Sequence, residues 1–264
     1  YCRRLDAPDS PEQILLDLNT IDAPVVVAGY MAPSYDHRLL AYALDTEGSD
    51  AYQLAILDME TGETLSDTLS SDGYAFEWAA DNRTLFYAPF DDTLRTNQLF
   101  RHVIGTDPAD DPLLYQEDDE LFWIWVTMSD DKQFVFLVSD SYTSSEVRYL
   151  SADTPEGEFT LFAPRRDGVQ YYLNYAGDDF LMLTNETVPN FELKSVPAEP
   201  AQRDQAQVLL AGDDRTLYQA VRAFQNRLLV YGRQDGRSQL WIYDPAASEA
   251  MQVETPEEVR DIWI

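Results

Sequence analysis

A short motif that recurs along the chain limits its fold more than any other feature. In each copy, a turn containing Asp or Asn, usually with a basic residue, leads straight into an apolar run. The copies lie at residues 36–42, 81–87, 131–136, 178–183 and 225–231. Their spacing is roughly 45–50 residues, which is typical of repeats built from four strands each. The pattern therefore predicts one supersecondary unit that is used several times.

The stretch 120–166 shows the predicted unit most clearly. Four runs rich in apolar, aromatic and β-branched residues lie at 123–127, 134–138, 147–150 and 159–162. Asp, Ser, Pro and Gly fill the turns between them, as expected for short antiparallel strands. The third strand also recurs, at 51–54, 97–100, 146–149, 190–193 and 238–241. Each unit is predicted to be a four-stranded meander.

The second strands are apolar at nearly every position instead of at alternate positions. A strand with one wet face would alternate, so these strands need burial on both faces. A propeller blade lies between two neighbouring blades, which buries both faces of its middle strands. The alternative is a two-layer β-sandwich, in which we would expect alternation and no fixed long period. The sequence thus predicts an all-β chain of the β-propeller class.

The repeat also predicts where the blades lie. Five complete blades are expected near residues 25–69, 74–119, 121–166, 169–212 and 217–255. Residues 2–5 and 13–18 are interpreted as the last two strands of an earlier blade, and 260–264 as the first strand of a later one. The chain starts at Tyr1 and ends within an apolar run. We expect a single propeller domain over 1–264, as part of a ring of seven blades.

The charge of the chain is strongly negative. Its 264 residues include 48 acidic and 18 basic side chains, for a net charge of −30. Such a field repels phosphates, so nucleic acid is not an expected partner. Two interpretations remain open, a solvated surface that keeps the protein soluble in salt, and attraction of cationic ligands.

The chain holds one cysteine, Cys2, and no apolar run long enough to cross a bilayer. A single cysteine cannot form an internal disulfide, which favours a reducing, cytoplasmic location. Because no apolar run is long enough to cross a bilayer, a membrane is not an expected partner. No signal peptide is recognisable. Cys2 is interpreted as an ordinary strand residue, with a reactive thiol as the alternative.

No set of residues in the sequence points to catalysis. The nucleophile motif G-x-S-x-G is absent, since Gln234 lies where the serine would be between Gly232 and Gly236. The two histidines, His37 and His102, have no partner that the sequence implies. No His/Cys cluster has zinc spacing, and no glycine-rich loop opens a helix. Catalytic residues and cofactors are therefore not expected in this chain.

Two kinds of position in the sequence carry oxygen ligands that a metal ion could use. The acidic runs 107–111 and 117–120 lack the ligand spacing and central glycine of a calcium loop. A metal in a propeller channel needs polar ligands on the innermost strands, where only Glu77 and Asn174 are suitable. The first strands at 25–31 and 123–127 offer no acidic or histidine ligand. Glu77 and Asn174 are instead predicted to line the channel without a metal.

Several stretches resemble a known family. They include 101–107 followed by 114–120, 143–148 with 152–153, 80–87, and 12–19. Together they resemble the propeller domain of the oligopeptidase B (protease II) branch of the prolyl oligopeptidase family of serine peptidases. The resemblance covers essentially the whole chain in the expected order. One departure is Ser34-Tyr35-Asp36, where the family typically has Ser-Pro-Asp.

The resemblance implies a seven-bladed propeller that covers an α/β-hydrolase domain carrying Ser, Asp and His. In this family the propeller admits short peptides and excludes folded proteins, and the oligopeptidase B branch cleaves after Arg or Lys. The catalytic domain follows the propeller in sequence, so no catalytic residue carries over to this chain. The implied partners are that hydrolase domain and short basic peptides.

Two functions from different classes follow. The first is the non-catalytic gating domain of a serine oligopeptidase. The alternative is a propeller used as a protein-interaction scaffold with no peptidase domain. Scaffold propellers of the tryptophan-aspartate type carry recurrent Gly-His and Trp-Asp pairs, which this chain lacks.

Overall fold

The computed structural model describes residues 1–4, 10–71 and 74–254. Five four-stranded antiparallel sheets follow one another along the chain, and in each the strands are ordered as in the sequence. An N-terminal hairpin, Cys2–Arg4 paired with Glu12–Ile14, precedes them. This is the all-β blade arrangement that the repeat predicts, and the fold class is confirmed.

We number the sheets I to V. Sheet I contains Val27–Pro33, Leu39–Asp45, Tyr52–Asp58 and Thr64–Ser71. Sheet II contains Phe76–Trp78, Thr84–Tyr87, Gln98–Val103 and Leu113–Gln116. Sheet III contains Trp123–Met128, Phe134–Asp140, Ser145–Ser151 and Thr160–Leu161. Sheet IV contains Tyr171–Ala176, Asp179–Thr184, Glu192–Pro197 and Gln207–Leu210. Sheet V contains Thr216–Phe224, Arg227–Gln234, Arg237–Asp244 and Glu249–Gln252.

Three short 3-10 helices complete the described elements, Leu18–Thr20, Pro108–Asp110 and Pro200–Gln205. The strand expected over 13–18 is wrong in its extent, because the first of these helices begins at Leu18. The strand ends at Ile14, and Asp17 caps the helix by accepting a hydrogen bond from the Asn19 backbone. The strand expected at 260–264 lies outside the described residues. None of the helices in the described ranges is long and apolar enough to cross a membrane.

The recurring turn motif has a common physical basis. In sheet I, Ser34 Oγ donates to Asp36 Oδ1 at 2.7 Å and accepts from the Leu39 backbone at 2.9 Å. Ser129, in the same turn of sheet III, makes the matching bonds to Asp131 and Phe134. Four of these turns contain a non-glycine residue with φ between 46° and 63°, namely His37, Asn82, Lys132 and Gln225. Side chains that satisfy the backbone locally hold such turns in place.

The chain divides into two compact units, residues 1–126 with 153–155, and residues 127–152 with 156–264. In the first unit, the core between sheets I and II contains fully buried Leu54, Ile56, Phe76 and Trp78. The indole nitrogen of Trp78 donates to the Ala32 carbonyl at 2.8 Å, which satisfies the one polar atom of that side chain.

In the second unit, sheet IV shows the predicted burial on both faces. Phe180 on its second strand contacts the Phe134 and Phe136 rings of sheet III. The adjacent positions Leu181 and Leu183 belong to a core shared with sheet V. Sheet V differs, because its second strand alternates, with Leu228 and Val230 buried and Leu229 half-buried. No further sheet follows sheet V within the described residues.

Candidate functional site

The first strands of the sheets hold the two residues that the sequence analysis selected. Glu77 lies at the centre of Phe76–Trp78 in sheet II, and Asn174 lies within Tyr171–Ala176 in sheet IV. They belong to different compact units.

Glu77 is half-buried and lies beside Tyr30, which is on the first strand of sheet I. The Tyr30 hydroxyl donates to Glu77 Oε1 over a long distance of 3.4 Å. The Tyr30 ring also contacts the Phe76 ring, with centroids 5.2 Å apart. Because Phe76 and Trp78 point into the core, strand alternation turns Glu77 to the opposite face.

Asn174 is buried, and both ends of its amide are hydrogen-bonded. Its nitrogen donates to Asp130 Oδ2 at 2.6 Å and to the Val221 carbonyl at 3.1 Å. Its oxygen accepts from the backbones of Asp130 and Tyr175. Asn174 thus joins the first strands of sheets IV and V to the turn that precedes the second strand of sheet III.

Asp130 is at the centre of this hydrogen-bonded group, which also includes Asn174, Arg222 and Ala223. Besides Asn174, Asp130 accepts from Arg222 Nη1 at 3.0 Å and from the Ala223 backbone at 2.6 Å. The Ser129 bonds shape the turn that presents this carboxylate. Sequence analysis missed Asp130 and Arg222, because they lie 92 residues apart and nothing in either motif marks the contact.

His102 is also more than the ordinary strand histidine that its sequence position indicates. It is fully buried in sheet II, and its Nε2 lies 3.0 Å from Asp67 Oδ1. Its Nδ1 lies 2.9 Å from Asp111 Oδ1. The Tyr87 hydroxyl donates to Asp111 Oδ2 at 3.0 Å. Burial and the nearby Asp111 carboxylate raise the pKa of Tyr87, so it remains a neutral donor.

This geometry has a chemical consequence for His102. Two carboxylates occupy its two ring nitrogens, so the ring cannot take a proton from a serine or a water as a general base does. Both ring nitrogens can donate together only when the imidazole carries two protons. The cluster ties the fourth strand of sheet I to sheet II and is suited to a structural role.

A metal site needs several ligand side chains that converge on one point. Across the described ranges, no three His, Cys, Asp or Glu side chains converge in a way that could hold a metal ion.

Comparisons with known proteins agree with the repeat and the sheet order. Residues 1–260 match the family model described as prolyl oligopeptidase, N-terminal beta-propeller domain. Protease 2 of Moraxella lacunata is 33% identical over 239 residues, which cover 89% of this chain and 34% of the relative. Dipeptidyl aminopeptidase BI of Pseudoxanthomonas mexicana is 37% identical over 196 residues, 73% of this chain and 27% of the relative.

Solved structures give the same result. Oligopeptidase B from Leishmania major superposes with a TM-score of 0.86 at 25% identity, covering 97% of this chain and 38% of that structure. Oligopeptidase B from Trypanosoma brucei gives 0.84 at 26% identity over the same shares. The chain thus spans about a third of the length of the relatives it matches. From the match over 1–260 and these similarities, the chain belongs to the prolyl oligopeptidase family and represents its N-terminal β-propeller domain.

Proposed function

We propose that this chain is the non-catalytic gating propeller of a serine-type oligopeptidase that cleaves short peptides after Arg or Lys. The observation that carries the proposal is the family match over 1–260, in relatives for which this region is only about a third of the protein. In this proposal the whole of 1–264 is one propeller domain. The remaining length of the protein supplies an α/β-hydrolase domain with its Ser, Asp and His.

The residues of the chain support a passive chemical role. The nucleophile motif is absent from the sequence, and His102 is occupied by two carboxylates. The net charge of −30 suits a protein that handles cationic peptides. Glu77, half-buried on a first strand, is proposed to contact such peptides. Asn174, on the first strand of sheet IV, is proposed to hold Asp130 in place.

The test compares this chain with the intact protein that contains it. The intact protein is expected to hydrolyse N-terminally blocked arginyl and lysyl amides, and a serine-reactive phosphonate should abolish that activity. The chain alone should show no turnover. Turnover by the chain alone that the phosphonate blocks would contradict the proposal. Failure of the intact protein to hydrolyse either amide would also contradict it.

The similarity to a dipeptidyl aminopeptidase makes a second substrate necessary. A peptide with a free N-terminus and the same scissile Arg, placed second, distinguishes removal of dipeptides from internal cleavage. We expect the blocked and free peptides to be cleaved with comparable kcat/KM. A strict requirement for the free amine would overturn the cleavage specificity proposed here while leaving the gating role intact.

A further inference from the structure

A cleft of about 310 Å³ lies in the first compact unit, at the end of the sheets where second strands pass to third strands. Three segments form its walls. They are the loop 46–51 of sheet I, the end of Thr64–Ser71, and the segment 90–94 of sheet II. The volume is at the lower end of the range typical of ligand sites, roughly 300–1,000 Å³.

Apolar side chains form part of this cleft, and one of them, Leu94, is open to solvent. Tyr52, Phe90 and Leu94 are among the lining residues. Leu94 is 56% exposed, and the ring of Tyr74, 66% exposed, lies 5.9 Å from that of Tyr52. Exposed apolar groups that flank a concave surface are characteristic of a binding site.

The backbone holds Leu94 in this exposed position at a conformational cost. Leu94 has φ of +60°, a region that side chains other than Gly and Asn adopt reluctantly. Asp91 fixes the loop, since its Oδ1 accepts from the Thr93 backbone at 2.8 Å and the Arg95 backbone at 3.0 Å. These bonds lie beside the exposed Leu94 side chain and shape the loop that presents it to solvent.

The charges around the cleft have a single sign. Glu47 and Asp91 are its charged lining residues, and no Lys or Arg is among those that line it. Hydrogen bonds from Thr93 lower the pKa of Asp91, and backbone N–H groups, led by that of Glu47, lower the pKa of neighbouring Asp45. Both therefore remain ionised at neutral pH. Glu47 is exposed, and its carboxylate makes no hydrogen bond to another described residue.

We propose that this cleft binds an extended peptide segment in which Lys or Arg is next to an aliphatic or aromatic residue. The apolar side chain would occupy the space beside Tyr52, Phe90 and Leu94, and the cation would lie near Glu47. Thr64–Ser71 is an edge strand of its sheet, so it offers backbone groups to an extended ligand. The proposal rests on the proposed function only in taking peptide as the ligand, and binding requires no hydrolase domain.

The experiment titrates the chain with blocked tetrapeptides and follows backbone amide resonances. The probe is acetyl-Arg-Leu-Arg-Leu-amide, and the two comparison peptides replace both Arg by Glu or both Leu by Gly. The proposal predicts saturable shifts of the Ser70 and Leu94 amides with the probe alone. It also predicts binding that weakens with added salt, because screening lengths fall from about 10 Å at 0.1 M to about 3 Å at 1 M.

Matched variants separate the cleft from the general acidity of the chain. Leu94→Asn keeps a residue that tolerates positive φ and should weaken binding about fivefold, since half of a leucine side chain is no longer buried. Glu47→Gln should weaken binding about threefold at low salt. The controls are Leu121→Asn and Glu60→Gln, which are exposed and lie outside the cleft lining. Both should bind like the wild type.

Two outcomes would overturn the proposal. The first is equal loss of affinity in the cleft variants and the controls, which would indicate non-specific attraction to an acidic surface. The second is binding by the chain but not by the intact protein, which would show that another part of the protein covers the cleft. Because neither readout uses hydrolysis, a failure here leaves the proposed function to its own test.

Discussion

Asp140 ends the second strand of sheet III with only one of its carboxylate oxygens hydrogen-bonded. The Tyr172 hydroxyl donates to Oδ2 at 3.0 Å, whereas buried Oδ1 has no hydrogen-bond partner among the described residues. Burial raises the pKa of Asp140 above its ordinary value, and the bond from Tyr172 offsets this only in part. Because the fold favours the protonated form, the stability that this group contributes at low pH is lost as pH rises through the raised pKa.

Replacing Asp140 by Asn should therefore stabilise the protein near neutral pH. The amide keeps an acceptor for Tyr172 and removes the buried charge. We expect the free energy of unfolding to increase by roughly 1 kcal/mol, with the gain shrinking as pH falls and the wild-type carboxyl becomes protonated. Urea unfolding at several pH values measures the effect. Asp167→Asn, exposed in the connection between sheets III and IV, is the control and should change little. A loss of stability that is independent of pH would contradict this account of Asp140.

Gly232 is required for steric reasons rather than for backbone freedom. A Cβ at this position would lie 2.1 Å from the Leu217 carbonyl oxygen and 3.1 Å from Tyr218 Cα. The register between the first two strands of sheet V shifts just beyond Tyr218, which shows the local irregularity. The sequence analysis considered Gly232 only as part of a failed catalytic motif.

Gly232→Ala should destabilise sheet V by about 3 kcal/mol, as expected for an overpacked position. Gly236→Ala is the matched variant, four residues further along in the turn before the third strand of the sheet. A Cβ at Gly236 meets nothing within 4 Å. The loss of stability in Gly236→Ala therefore comes only from φ of +79° and should be about 1 kcal/mol. Thermal unfolding of both variants measures their losses of stability. Equal losses would contradict the steric account, because they would show that the backbone relaxes away from the added Cβ at position 232.

At the scale of elements, the sheets are joined by polar contacts that local sequence patterns do not reveal. The strands and their period were predictable, since β-rich runs and turn residues recur at fixed spacing. The contacts of His102 with Asp67 and of Asp130 with Arg222 were not, because they join residues 35 and 92 positions apart. Neither pair belongs to a motif, so only the folded arrangement brings them together. For the same reason, Glu77 and Asn174 could be placed on first strands, but the partners of Asn174 could not be named.

His102→Gln tests the structural role of the buried cluster. One Gln side chain cannot reach both carboxylates as the ring does, so at least one of the two buried carboxylates loses its bond to residue 102 and keeps only the bond from Gly105 or Tyr87. Breaking a buried charged cluster typically costs 3–5 kcal/mol, and we expect about 3 kcal/mol here. Hydrogen exchange should increase first in Thr64–Ser71 and Gln98–Val103, which the cluster connects.

The control for this variant is His37→Gln, an exposed turn histidine whose ring makes no hydrogen bond within the described residues. It should unfold like the wild type. If His102→Gln were as stable as His37→Gln, the buried cluster would have no net stabilising role.

At the scale of the whole molecule, the excess of acidic residues is the dominant property. Of 48 acidic side chains, several are committed to turns, such as Asp58, whose carboxylate accepts from the Glu60 and Thr61 backbones. Only 18 basic residues offset them. A field of one sign can raise the association rate of oppositely charged ligands roughly 10- to 1000-fold at low salt. The two interpretations of this acidity, salt tolerance and attraction of cations, differ in their effect on kinetics.

Electrostatic attraction predicts a substrate preference in the intact protein. Two peptides with the same scissile Arg, one carrying additional distal lysines, should differ in kcat/KM at low salt, with the lysine-rich peptide favoured. Because the effect lies in encounter, kcat should be unchanged and added salt should remove the difference. Steady-state kinetics at low and high salt measures this. Equal kcat/KM for the two peptides at low salt would favour the interpretation that the acidic residues only keep the protein soluble in salt.

The central claim is that this chain is the filter of a peptidase, and one measurement tests it most directly. The same Arg-containing sequence is offered to the intact protein as a short peptide and as an exposed loop inserted in a folded, protease-resistant protein. The account predicts efficient cleavage of the peptide and none of the loop. A control protease without a propeller should cut both. Comparable kcat/KM for the peptide and the loop with the intact protein would contradict the gating function.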